Sequence, residues 1–375
     1  MYNQNLFGSH TRIQKVSDTS DGSLQSYLLQ AQQLSNSNVT ATSTVTFLAV
    51  GDIMLSRNVA AAALTAKDDE FPFRKMADLL KATDFNFGNL ESPFAPSRGC
   101  LLGHDAGIAG GNSLIFGASC DMSVGLQDFN LKILNLANNH AMDQGLNGLI
   151  FTKNFLSSSG IENEGTGKTL EEAWQPAVIE QNGIKICFVG ASYSSENDGG
   201  KASNNYVARI EDVARLKAAI TTAKSECDFA VVTMHAGTEY TRTPNQSQID
   251  FAHAAIDDGA DIVIGAHPHW VQTTEKYKGK YIFYSLGNFV FDQNFSQDTS
   301  QGLTLKITIS KKQTPNPLAP GAAAADDLQG QRQFANLDSI ELLPVIITNS
   351  QPRPATDQET KTILKKIGET ENILK

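Results

Sequence analysis

Residues 259–272, GADIVIGAHPHWVQ, carry a short apolar run at 262–265 that is followed at once by His267-Pro268-His269. The run has the length and β-branched content of a buried strand, and Pro268 fixes the backbone between two imidazoles. A strand ending in ligand-type side chains is how open α/β sheets build a binding crevice. Working outward, the same arrangement recurs. Gly51-Asp52 follows an apolar run at 44–50, and Asn89-Leu90-Glu91 closes one at 84–90. Asn138-Asn139-His140 follows a run at 131–137, and His235 follows one at 229–234. Further runs at 184–190 and 281–286 alternate with amphipathic stretches at 73–82, 146–158, 213–225 and 246–258. That rhythm predicts an α/β domain. Pro244-Asn245 is a helix start and Gly259 a helix stop for the last stretch.

The chain has 375 residues, with 30 Lys plus Arg against 40 Asp plus Glu and a net charge of −10. The acidic balance argues against nucleic acid or an anionic membrane surface as the main partner. At 41% hydrophobic residues there is material for a large core in one or two domains. No run approaches the roughly 18 to 20 apolar residues of a membrane span. Residues 1–43 read as a polar tail, and the Ser-, Thr-, Gln- and Asn-rich part from 17 suits either a linker after a removed export anchor or the tail of a cytosolic protein. The folded domain is expected over 44–350. After Asn288, strands at 303–309 and 339–347 flank a Pro-, Ala- and Gln-rich insert at about 313–334, expected as a flexible loop tip. Residues 351–375 are expected to close the domain as a surface helix.

The four cysteines, Cys100, Cys120, Cys187 and Cys227, show no CxxC spacing. Cys187 and Cys227 lie in or beside apolar runs and are expected as buried small hydrophobes. Cys100 and Cys120 bracket a Gly-rich loop, which they would close as a disulfide in an exported protein. Each polar cluster taken singly has a plain structural reading: a turn or cap for Gly51-Asp52, an Asn-rich turn for 138–140, a satisfied core histidine for His235. Together, two carboxylates, an Asn and several His form a ligand set for zinc, manganese or iron.

The motifs FLAVGDIMLSRNV (47–59), FNFGNLESPF (85–94), LNLANNHAMDQG (134–145), VTMHAGTEY (232–240), GADIVIGAHPHWVQ (259–272) and YIFYSLGNFVFDQ (281–293) occur in an order that resembles the CapA (PgsA) family of bacterial poly-γ-glutamate capsule synthesis proteins. That family is a branch of the calcineurin-like metallophosphoesterase fold, and the resemblance covers roughly residues 44–310. It implies a four-layer sandwich, two mixed β-sheets flanked by helices. It also implies Asp52, Glu91, Asn139, His235, His267 and His269 as metal ligands, with Glu91 bridging and His140 protonating a leaving group. Two positions depart from the phosphoesterase pattern. Met54 stands where the first motif has a His, and Glu91 is one methylene longer than the usual Asp. A thioether is a poor ligand for a hard divalent ion. One metal site at most is therefore expected, built from Glu91, Asn139, His235 and His267 and holding manganese, zinc or iron.

The function implied is that of a hydrolase or transferase acting on an amide bond of an anionic polyglutamate or peptide-like polymer. His140 would be the general acid, and Asp52 or Glu91 would orient the attacking water. Arg57, Glu239, Tyr240 and Asn288 are the candidate substrate-binding residues. A metal-independent acid–base enzyme, a peptide hydrolase or epimerase using Asp52, Glu91, His140 and His269, stays open. So does a non-catalytic component of a capsule-assembly complex, whereas Met54 disfavours a phosphoesterase. The family context implies work at the cell surface beside membrane capsule-synthesis proteins; a cytoplasmic location is the alternative.

Overall fold

Alternate residues of the first strand, β1 (Thr42–Ile53), bury into two different cores. Val45, Phe47 and Ala49 join one apolar cluster, and Leu48 and Val50 another. Period-two alternation requires this of a strand covered on both faces. In the computed structural model the described residues are 42–96, 114–194, 204–312, 333–370 and 372–374. The remaining strands are β2 (Phe85–Leu90), β3 (Leu131–Asn135), β4 (Glu162–Glu164), β5 (Ala177–Gln181), β6 (Ile184–Ser192), β7 (Phe229–His235) and β8 (Ile262–Ala266). They continue with β9 (Thr274–Tyr277), β10 (Lys280–Phe283), β11 (Asn288–Val290), β12 (Gln301–Lys312), β13 (Asn336–Thr348), β14 (Gln351–Pro354) and β15 (Ile373–Leu374).

Two mixed sheets result. The first runs β14-β13-β12-β1-β2-β3-β4, with β11 beside β1 and β15 beside β13; the second runs β5-β6-β7-β8-β10-β9. In the first, β1 to β4 are parallel and β12 to β14 antiparallel. In the second, β6, β7, β8 and β10 are parallel between antiparallel edges. Phe47, Phe85, Phe87 and Ile133 of the first sheet meet Ile186, Phe188, Val231 and Ile264 of the second in one shared core. Outside the first sheet, helices Arg57–Ala66 and Gly145–Ser158 contribute Val59, Ala63 and Leu156 to the second cluster. Outside the second sheet, helices Val213–Glu226 and Gln246–Asp257 contribute Leu216, Ile220, Phe251 and Ala255 to a third. The layers are helix, sheet, sheet, helix, the α/β sandwich expected. The helix Gln246–Asp257 begins with a capping box between Asn245 and Gln248.

Close backbone approach fixes two glycines. A Cβ on Gly51 would stand 1.9 Å from Gly287 O, which would prevent β1 from seating against β11. A Cβ on Gly190 would meet Asn135 Oδ1 at 2.6 Å and Thr233 Oγ1 at 2.9 Å, the point where the two sheets touch through polar groups.

Two expectations change. Cys187 and Cys227 are both fully buried, but they are joined as a disulfide across 40 residues, with Cα atoms 5.7 Å apart. The bond ties β6 to the end of helix Val213–Glu226, a long-range pairing that local apolar character does not reveal. Cys120 is also disulfide-bonded, while Cys100 lies outside the described residues. The C-terminal stretch is more than a helix: β14 and β15 both pair with β13 in the first sheet, and helix Asp357–Lys366 lies between them in sequence. Residues 1–41 of the expected tail and 313–332 of the expected insert lie outside the described residues.

At the sheet interface Glu164, from β4, is 1% exposed and accepts a 2.6 Å hydrogen bond from Thr233 Oγ1 of β7. Among the described residues its Oε2 has no partner. Burial pushes its pKa up to about 8 from 4.5. A raised acid pKa gives stability that is whole below about pH 4.5 and is lost as pH climbs to about 8. Glu164→Gln keeps the shape without the ionisation. Urea unfolding across pH 5 to 8 should show the variant gaining on the parent as pH rises; parallel curves would refute it. Replacing Cys187 and Cys227 by Ala should cost about 3 to 4 kcal/mol in the same assay, because a loop of this length is freed in the unfolded chain.

Candidate metal centre and crevice

Parallel register places Asp52 beside Asn89, Asn89 beside Asn135, and Asp52 beside Asn288 on its other side. The side chains then bond laterally. Asn135 Nδ2 donates to Asn89 Oδ1 at 2.9 Å, and Asn89 Nδ2 donates to Asp52 Oδ1 at 2.8 Å. Asn138 Nδ2 reaches Leu90 O at 2.8 Å. All four polar side chains are buried, and their pairing satisfies groups that would otherwise be costly to take from water. Asn89 and Asn135 both lie inside the quoted motifs, two positions before Glu91 and four before Asn139, but the sequence assigns neither a role in the site.

On this floor stands Glu91, fully buried, with neither carboxylate oxygen hydrogen-bonded among the described residues. Its Oε1 lies 3.7 Å from His140 Nε2 and 3.9 Å from Nε2 of both His235 and His269. Burial first, and the nearby Asp52 second, hold its carboxyl well above the usual range. An uncompensated carboxyl among imidazole nitrogens fits a divalent cation by its donor chemistry. Two donor trios share it, Glu91 with His235 and His267, and Asp52 with Glu91 and His269, each set lying within 4.8 Å.

The second sheet supplies the histidines. His235, the last residue of β7, accepts at Nδ1 from Asn89 Nδ2 at 3.1 Å and donates from Nε2 to Asn139 Oδ1 at 2.7 Å. His267 donates its backbone N–H to Asp52 Oδ2 at 3.4 Å, and its Nδ1 has no partner among the described residues. Burial, then the neighbouring imidazoles, pushes the pKa of both rings well below the ordinary value. Both are therefore neutral, the form that ligates metal. His269 donates from Nδ1 to Asn288 Oδ1 at 2.9 Å, which turns Nε2 toward Glu91. His267 and His269 have φ of 99° and 58° on either side of Pro268. Backbone strain of this kind costs on the order of 1 to 3 kcal/mol per residue and collects at functional sites.

Met54 is buried in the apolar cluster under helix Arg57–Ala66, and its sulfur accepts from the Ser56 N–H at 3.2 Å and hydroxyl at 3.0 Å. His140 donates from Nδ1 to Asp143 Oδ2 at 2.7 Å. Asp143 was missed in the sequence, although its spacing three residues after His140 was visible. Of the substrate-binding candidates, Tyr240 is 36% exposed and its ring centroid lies 6.0 Å from that of His269; Glu239 beside it is exposed. Burial, then Glu239, raises the Tyr240 phenol above its ordinary pKa. Arg57 is committed to an ion pair with Asp292, its side chain 11% exposed. Asn288 is fully buried and donates to Gln293 Oε1 and Thr299 O while accepting from His269. Its amide is spent on orienting His269, so the substrate-contact reading of Asn288 gives way to a supporting one.

The profile described as bacterial capsule synthesis protein PGA_cap matches residues 46–293, which span every residue of the crevice. The chain belongs to this family. Its similar curated relatives include the PGA biosynthesis protein CapA of Bacillus subtilis (strain 168), 32% identical over 68% of this chain and 65% of that one. The capsule biosynthesis protein CapA of Bacillus anthracis is 30% identical over 69% of this chain and 62% of its own. This family member thus spans less than two thirds of either relative. A probable polyglutamine synthesis accessory protein of Mycobacterium tuberculosis is 32% identical over 42% of this chain and 44% of that one. Among solved structures, a 5′-nucleotidase precursor from Thermus thermophilus aligns with a TM-score of 0.43 at 12% identity, covering 86% of this chain and 58% of that one.

Asn89→Ala would leave Asp52 Oδ1 and His235 Nδ1 buried without their donor, while Asn135 Nδ2 keeps the Ala137 carbonyl. Urea unfolding should show a loss of about 3 kcal/mol, the cost of two orphaned polar groups. A loss under about 0.5 kcal/mol would mean that the amide row contributes little to stability.

Proposed function

We propose that this crevice hydrolyses or transfers an amide bond of an anionic, polyglutamate-like polymer in capsule biosynthesis, using a divalent ion held at Glu91. The observation that carries the reading is Glu91 itself, fully buried, unpartnered among the described residues and faced by the Nε2 atoms of His140, His235 and His269 within 3.9 Å. Glu91, His235 and His267 with the Asn139 amide oxygen would hold one manganese, zinc or iron ion, and Asp52 and His269 complete the surrounding acceptors. Such an ion supplies polarisation of a carbonyl and activation of water at neutral pH.

The chain's own residues do the rest. His140, held by Asp143, delivers a proton to the departing amine nitrogen. Asp52 and Glu91 accept hydrogen bonds from the attacking water and orient it. Glu239 and Tyr240 line the exposed mouth, where a long substrate enters. Arg57, paired with Asp292, lies close enough to Glu91 to lower that carboxyl's pKa. The Cys187–Cys227 disulfide supports placement outside the cytoplasm, where such bonds persist. Among the described residues no helix is long and apolar enough to cross a membrane.

The test is metal content after purification without chelator or metal-affinity tag, beside His267→Ala and Asp52→Asn. About one equivalent of transition metal per chain, lost in His267→Ala, is expected. Cleavage of polyglutamate should stop with chelator and return with that metal. No bound metal after manganese and zinc are added back would sink the reading. Activity that survives chelation but is lost in Asp52→Asn or Glu91→Gln would move it to metal-independent acid–base chemistry.

A further inference from the structure

Phe116 holds both members of the His140–Asp143 pair, and no motif in the sequence points to it. It is 3% exposed. Its ring is stacked on the His140 imidazole, with centroids 3.8 Å apart and 21° between the planes. The Arg57 guanidinium carbon lies 4.8 Å from the same ring centroid, and Phe291 meets the ring edge-on at 6.3 Å. The Phe116 N–H donates to Asp143 Oδ2 at 2.5 Å, the same oxygen that accepts from His140 Nδ1 at 2.7 Å. The Phe116 carbonyl accepts from Gln144 Nε2 at 2.6 Å. The peptide therefore fixes the carboxylate, and the ring lies against the imidazole that the carboxylate holds.

We propose that Phe116 is the positioning residue of this crevice: it sets the plane of His140 through its ring and anchors Asp143 through its N–H. The inference rests on the reading of His140 as proton donor. An imidazole with a single side-chain hydrogen bond can still swing about that bond. A stacked ring removes the swing, and misplacement by about 1 Å costs on the order of 100-fold in rate. An aliphatic side chain would keep the volume but give neither the imidazole nor the guanidinium a π face.

The experiment compares the full chain with Phe116→Leu, Phe116→Met, Phe116→Tyr and His140→Ala, each checked for folding by thermal melting. Initial rates are measured on a γ-linked glutamate oligomer with added manganese. Phe116→Leu and Phe116→Met should lower kcat on the order of 10- to 100-fold, while Phe116→Tyr, which keeps the aromatic face, should stay near the parent. Wild-type kcat in the folded Leu and Met variants, with His140→Ala inactive, overturns the inference.

If His140→Ala stays as active as the parent, or the parent does not cleave the oligomer, the functional reading fails. The positioning role is then judged by proton NMR alone. The His140 Nδ1–H resonance should be sharp and slow to exchange in the parent and Phe116→Tyr, and broadened in Phe116→Leu. An unchanged resonance in Phe116→Leu overturns the inference.

Discussion

The lateral register of β1, β2 and β3 is the constraint on which the rest of the molecule depends. It brings Asn135, Asn89 and Asp52 into one hydrogen-bonded row, with Asn288 on the far side of Asp52. A slip of one residue in any of these strands would turn its polar side chain out of the row and an apolar one in. The cost would fall on both faces at once, because each strand is buried on both. The row is thus as much a device for choosing one pairing as a base for chemistry. Its amides are satisfied within the row and by nearby backbone, so that among the described residues of the crevice Glu91 and His267 Nδ1 stand out as buried groups without a hydrogen bond.

The crevice is divided between the sheets in a way that makes their spacing matter. Asp52 and Glu91 come from the first sheet, His235 and His267 from the second, and the shared phenylalanine-rich core sets the distance between them. Phe47, Phe85, Phe87 and Phe188 pack ring against ring at centroid separations of 4.8 to 6.3 Å. Close-packed aromatic layers resist compression, so the ligand atoms are held at fixed separation by groups with no part in the chemistry. Asn288 then aims His269, and Asp143 aims His140.

The parts of this arrangement visible in the sequence are those written along one strand. Apolar runs of four to seven residues located the central strands, and His267-Pro268-His269, Asn138-Asn139-His140 and Gly51-Asp52 marked their ends. Lateral information was not visible. Asn89 and Asn135 look like ordinary polar residues until register sets them side by side. Phe116 is one aromatic in a loop, and nothing in its neighbourhood announces that its N–H and ring serve His140. Short edge strands such as β4 and β11 have three residues each, too few for a period to show. Cys187 and Cys227 resemble any buried apolar residue because their pairing is set by how a helix returns to its sheet. Asn288 was read as a substrate contact because it ends a strand, the same position that in Asp52 and His235 faces the crevice; only the hydrogen-bond count separates them.

Glu164 makes closure of the sandwich a proton-linked event. Buried between β4 and β7, its carboxyl keeps its proton up to a pH of about 8, whereas the ordinary value is 4.5. Between those values folding takes up a proton. Acid therefore acts as a ligand of the folded state, and mildly acidic solution favours the closed sandwich over the open one.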